Sequence, residues 1–109
     1  MKKKISLVLF CIALFIVGCG KKTEISFDAI VDFSNASNIT WKDFSKYEYT
    51  EEAQGLLYRY YNVEGNYQLC VSGKNLDTNP WSITLTNLTT NNSINILEDD
   101  VITFLGDDY

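Results

Sequence analysis

The chain of 109 residues contains no histidine. That absence removes Ser-His-Asp and Cys-His arrangements, the usual general base near neutral pH and the commonest zinc ligand. Catalysis through carboxylate pairs or lysine remains chemically open, but it needs a formed cleft, which so small a chain seldom builds. The expectation is therefore a non-catalytic protein with no bound metal or cofactor. Basic residues are also scarce. Five of the nine fall within the first 22 positions, and from Glu24 onward 14 acidic residues face only Lys42, Lys46, Arg59 and Lys74, a net charge of −10. Nucleic acid, whose phosphates demand a basic surface, is excluded as a partner on that ground.

A long apolar run is missing too. Met1 is followed by Lys2, Lys3 and Lys4, then by 13 residues, Ile5 to Val17, in which only Ser6 is polar. A membrane-spanning helix needs about 20 apolar residues, whereas a basic start, a short apolar stretch and a small residue at the cut form a secretory signal. The residues Ile16-Val17-Gly18-Cys19 resemble the lipobox of bacterial lipoproteins. Ile at its first position departs from the more usual Leu. The resemblance covers residues 1–19 only. It implies cleavage before Cys19 and covalent diacylglycerol on the Cys19 sulfur, the one group the chain is expected to carry. Two acyl chains give a stable anchor where one gives a marginal one. The expected organisation is a signal peptide over 1–18, a lipidated Cys and short tether over 19–23, and one small domain over 24–109. The protein is then extracytoplasmic and membrane-anchored. No aspartate follows Cys19, which permits a diderm outer membrane, while the short tether and composition favour the outer face of a monoderm cytoplasmic membrane. Lys21 and Lys22 lie where they can meet anionic headgroups.

With Cys11 removed and Cys19 acylated, Cys70 stands alone, so no internal disulfide staples the domain. It is expected as a small buried side chain. Thirteen aromatic residues remain after cleavage and supply much of the area available for burial.

Alternation with a period of two dominates the rest. Ile25, Phe27, Ala29, Val31 and Phe33 fall on one face of an expected strand over 24–33, with Ile30 as the exception. Residues 39–54 read as a short helix plus an edge strand. Strands over Leu56–Val63 and Tyr67–Gly73 join through Glu64-Gly65-Asn66, a hairpin signal because Gly and Asn tolerate positive φ. Trp81, Ile83 and Leu85 open a further strand, and Ile94–Leu97 and Val101–Leu105 are two more. The fold class expected is mainly β, a small antiparallel sandwich or barrel of about six or seven strands with one short helix within 40–54; an α+β arrangement is the alternative.

Three groups of residues are candidates for function. In Tyr58-Arg59-Tyr60-Tyr61, alternation puts Arg59 and Tyr61 on one face, and that face is expected to touch a partner, since Tyr and Arg anchor interfaces. Asp99, Asp100, Asp107 and Asp108 could offer oxygen ligands to Ca²⁺ only if two turns met, and no calcium-loop spacing is present. Four Asn-x-Ser/Thr triplets begin at Asn35, Asn38, Asn87 and Asn91; beside a lipobox they express an asparagine-rich composition. The function expected is a lipid-anchored protein-binding module that contacts another envelope or extracellular protein, with a small-ligand or glycan binder as the alternative.

Overall fold

The computed structural model describes residues 22–109; the signal segment and Cys19 lie outside them. Five strands, β1 (Thr50–Ala53), β2 (Leu57–Val63), β3 (Tyr67–Gly73), β4 (Ser82–Asn87) and β5 (Ser93–Asn95), form one antiparallel sheet in the order β1-β2-β3-β4-β5. Two short helices, α1 (Phe27–Asn35) and α2 (Val101–Leu105), and a 3₁₀ turn (Trp41–Phe44) accompany it. The chain is thus mainly antiparallel β, as its alternation predicts. The 3₁₀ turn and the exposed edge strand β1 divide 39–54 in the expected way. No helix of the described residues is long and apolar enough to cross a membrane.

Two expected strands are helices, and this replaces the second sheet of a sandwich with a helical layer. Residues 24–33 carry a helical signal beneath the alternation. Phe27, Ile30 and Val31 follow the i, i+3, i+4 spacing, and Ile30, the exception to period two, is fully buried. Ser26 caps the helix by accepting the Ala29 N–H at 3.1 Å, and a cap of this kind contributes about 1 kcal/mol. The Glu64 carboxylate, reaching from the β2–β3 turn, accepts the Phe27 N–H at 2.7 Å. Only the start of the segment pairs as a strand would, with Ile25 bridging Val63. Val101–Leu105 likewise turns helical because Asp100 accepts from the Thr103 N–H and hydroxyl, and its ends Val101 and Leu105 are buried on one side. Helices on one face of an antiparallel sheet are the layering of the α+β alternative.

Register explains where the core lies. Tyr61 pairs with Leu69, which pairs with Leu85; Arg59 pairs with Val71, which pairs with Ile83. Leu69, Val71, Ile83 and Leu85 are fully buried under Phe27, Ile30, Trp41, Phe44, Val101 and Leu105. Rings fill the layer: Phe44 lies 4.7 Å from Phe33 and 5.4 Å from Tyr61, and Phe27 meets Tyr67 edge-on at 5.2 Å. The β2–β3 turn needs Gly65 twice over. Its φ is +71°, and a Cβ there would sit 2.8 Å from the Phe27 ring.

Trp41 fastens the far end of the sheet. Its indole N–H is shared between the carbonyls of Asn75 (3.0 Å) and Thr78 (2.8 Å), which folds the 74–80 loop against the 3₁₀ turn. Its ring lies so close to Gly73 that a Cβ there would meet Cζ2 at 3.0 Å and the Pro80 backbone at 3.2 Å. Trp41→Phe keeps a ring in place but leaves both carbonyls without this donor. It should lower unfolding free energy by about 1–2 kcal/mol in urea denaturation. An unchanged midpoint would show that the indole hydrogen bonds contribute nothing.

Candidate functional site

A sheet with one covered face has a second that is bare. In register across the strands, Tyr60, Cys70 and Thr84 form one row; Tyr58, Ser72 and Ser82 a second; Asn62, Gln68, Thr86 and Ser93 a third. Most of these side chains are half-buried, packed by their cross-strand neighbours with no layer above them. The rows carry hydroxyls, amides, one thiol and two tyrosine rings. Glu52, at the β1 edge, is the one charged residue on this face. In a chain so acidic, a five-stranded surface with a single charge at its edge is the exception.

The polar atoms of the face are partly tied to one another. Tyr60 Oη donates to Glu52 Oε1 at 3.2 Å, and Thr86 Oγ1 and Ser93 Oγ share a hydrogen bond of 2.8 Å. Burial, then the neighbouring Cys70 and the Glu52 carboxylate, push the Tyr60 hydroxyl up to about 12. Burial also raises the Cys70 thiol, only partly opposed by its contact with Tyr60. Cys70 is therefore a neutral thiol at physiological pH. It is half-buried at the centre of the bare face, where a core position was expected, because it pairs with Tyr60 and Thr84 on the polar side of the pleat.

The expected partner face, Arg59 with Tyr61, requires correction. Tyr61 is 1% exposed and belongs to the core beneath Phe44, so its side chain touches no partner in the folded chain. Alternation separated the two faces of β2 correctly, but the helical layer covers the Arg59/Tyr61 side. Arg59 lies at the margin of that layer. It binds Glu51 at 2.7 Å and stacks 4.1 Å from the Tyr49 ring centroid and 5.5 Å from that of Trp41. These contacts hold the edge strand and the 3₁₀ turn to β2, a structural task worth about 0.5–1 kcal/mol per cation–π contact. Tyr58 and Tyr60 are the tyrosines of the open side.

The acidic residues near the C-terminus are bound up in the fold. Asp99 accepts the Asn95 N–H at 3.0 Å, Asp100 caps α2, and Asp108 accepts the Tyr67 hydroxyl at 2.6 Å. Among the described residues no group of three Asp, Glu or Cys side chains converges as a metal site would require. The asparagines have structural work as well. Asn87 Oδ1 accepts the N–H groups of Thr89 and Thr90, Asn91 takes a φ of +67°, and Asn38 accepts from Asn79. A shallow groove of about 350 Å³ opens beside the β1–β2 turn, lined by Ala53, Gly55, Leu56, Leu57, Lys74 and Leu76. Its walls are apolar and Lys74 is its one charge, so it lacks the convergent polar groups that orient a small ligand.

Two tyrosines supply a pH signature. Tyr67, like Tyr60, is pushed up to about 12, by burial and then by the hydrogen bond it donates to Asp108. An unfolded tyrosine ionises near 10. Both raised values therefore stabilise the fold fully below pH ~10, and that contribution is lost as pH rises toward 12. Absorbance titration should show tyrosines ionising well above 10, among them Tyr60 and Tyr67, and Tyr67→Phe should shallow the loss of stability over this interval. Ionisation of every tyrosine near 10 in the folded protein would contradict these contacts. In comparisons with known proteins, no family model, curated protein or solved structure matches the chain, so the functional reading rests on the bare sheet face and the N-terminal residues.

Proposed function

We propose that this protein is a lipid-anchored, non-catalytic interaction module of the cell envelope, held on the outer face of a membrane through Cys19, and that it recognises an envelope or extracellular protein with the open face of its sheet. The observation that carries this reading is the composition of that face. Tyr58 and Tyr60 give rigid amphipathic contact area at small entropic cost, while Ser, Thr, Gln and Asn side chains give adaptable hydrogen bonds. Depletion of charge with retention of tyrosine is the pattern of interface centres. The acidic surface elsewhere maintains solubility and repels alternative acidic partners. A small-ligand function has the apolar groove in its favour, but that groove offers one charged group and no polar cluster to fix a ligand's orientation.

The test is crosslinking of the full-length protein in living cells, with mass spectrometry of what is captured. The double variant Tyr58→Ala/Tyr60→Ala, and separately Thr84→Arg, should lose at least about tenfold in recovery of a reproducible partner while melting as one cooperative unit, since interface centres dominate binding. Cys19→Ala should release the chain from the membrane fraction. Capture that survives all changes on the open face would exclude that face as the recognition surface.

A further inference from the structure

The fold begins closer to Cys19 than the sequence shows. Lys22 is already hydrogen-bonded into it: its N–H donates to the Lys46 carbonyl at 2.8 Å, and its own carbonyl accepts the Glu48 N–H at 2.9 Å. Three residues later, Ile25 donates to Asn62 and accepts from Glu64. The entry strand is therefore fixed at both ends against the sheet. From Cys19 to Lys22 are three residues, which at most ~3.5 Å each reach about 10 Å. A lipid on Cys19 leaves the domain almost no slack, and the corner formed by Lys22, Lys46 and Tyr47 must lie at the headgroups.

Charge is distributed in the same sense. All four lysines among the described residues lie in the entry strand, in the segment after the 3₁₀ turn begins, or in the loop that Trp41 fastens to that turn. The helical layer runs from this 3₁₀ turn through α1 to α2: Phe44 packs on Phe33 of α1, and α1 in turn packs on α2. The α1 and α2 end carries Asp28, Asp32, Glu98, Asp99, Asp100, Asp107 and Asp108 with no basic residue. Glu24 and Glu48 share the entry corner with Lys22 and Lys46, so the described charges there balance, whereas the α1 and α2 end is acidic throughout. Asp43 is committed to the Thr40 N–H at 2.8 Å.

We infer that the Lys22–Lys46 corner is a docking surface for anionic phospholipid headgroups, and that it stands the domain on the membrane with the acidic α2 end pointing away. The inference rests on the reading of Cys19 as the lipid-bearing residue. Lysines within a Debye length of the bilayer are attracted to it, while the carboxylates carried by α1 and α2 are repelled by the same anionic surface. Tether and charge thus select one orientation where a long, neutral tether would allow many.

The full-length protein tests this in vesicles of phosphatidylcholine with phosphatidylglycerol and of phosphatidylcholine alone. A fluorophore is placed at Ser45→Cys or at Ile102→Cys, each with Cys70→Ala, and quenched by nitroxide-labelled headgroups. Quenching at position 45 should exceed that at 102 on the order of threefold in the anionic vesicles, and Lys22→Glu/Lys46→Glu should abolish most of the difference. Equal quenching at the two positions, or a difference that charge reversal leaves intact, overturns the docking surface even though the protein is anchored. The mass of the intact chain separates the two failures. A Cys19 without lipid and a protein that stays soluble overturn the anchor and this orientation together.

Discussion

The constraint on which the structure depends is that its sheet has only one apolar face. Alternation along β2, β3 and β4 places Tyr61, Leu69, Val71, Ile83 and Leu85 on one side, and among the described residues no second sheet covers them. Everything else follows from satisfying that face. The segment before β1 and the segment after β5 fold into helices and lie across it. Phe44 fills the centre, Trp41 secures one end, and the Phe27–Tyr67 contact secures the other. With both described helices on one side, the opposite side stays bare, and apart from Glu52 at its edge its side chains tolerate water without bearing charge.

Local signals at the middle of the chain were legible because turn chemistry and alternation agree there. Glu64-Gly65-Asn66 forms the hairpin its residues require, with positive φ at Gly65 and Asn66, and β3 spans Tyr67–Gly73 as its pattern predicts. The ends of the domain were harder because two periods coexist in one stretch. Ile25 to Phe33 satisfies alternation at five positions, yet the cap at Ser26 and the burial of Ile30 decide for a helix. The carboxylate that completes that helix start comes from Glu64, 37 residues away, which no local pattern could reveal. The same limit applies to Arg59 and Tyr61. Alternation separated the two faces of β2 but carried no information about which would receive the helices.

Function, on this account, divides the molecule between three surfaces. We propose that the lysine-bearing entry corner meets the membrane, that the acidic α2 end faces outward, and that the charge-poor sheet face is left for recognition. Asparagine, which might have signalled glycans, instead builds the turns that bound the sheet, through Asn75, Asn87 and Asn91.

The most direct measurement uses Cys70, which lies at the centre of the open face and, under the proposed removal of the signal and acylation of Cys19, is the one thiol left. Its alkylation rate would be compared between intact cells and the purified lipidated protein in detergent at the same pH. A face occupied by a partner predicts slow alkylation in cells and a marked acceleration on purification, with the protein folded in both. Equal rates in the two settings would contradict the claim that this face is the recognition surface.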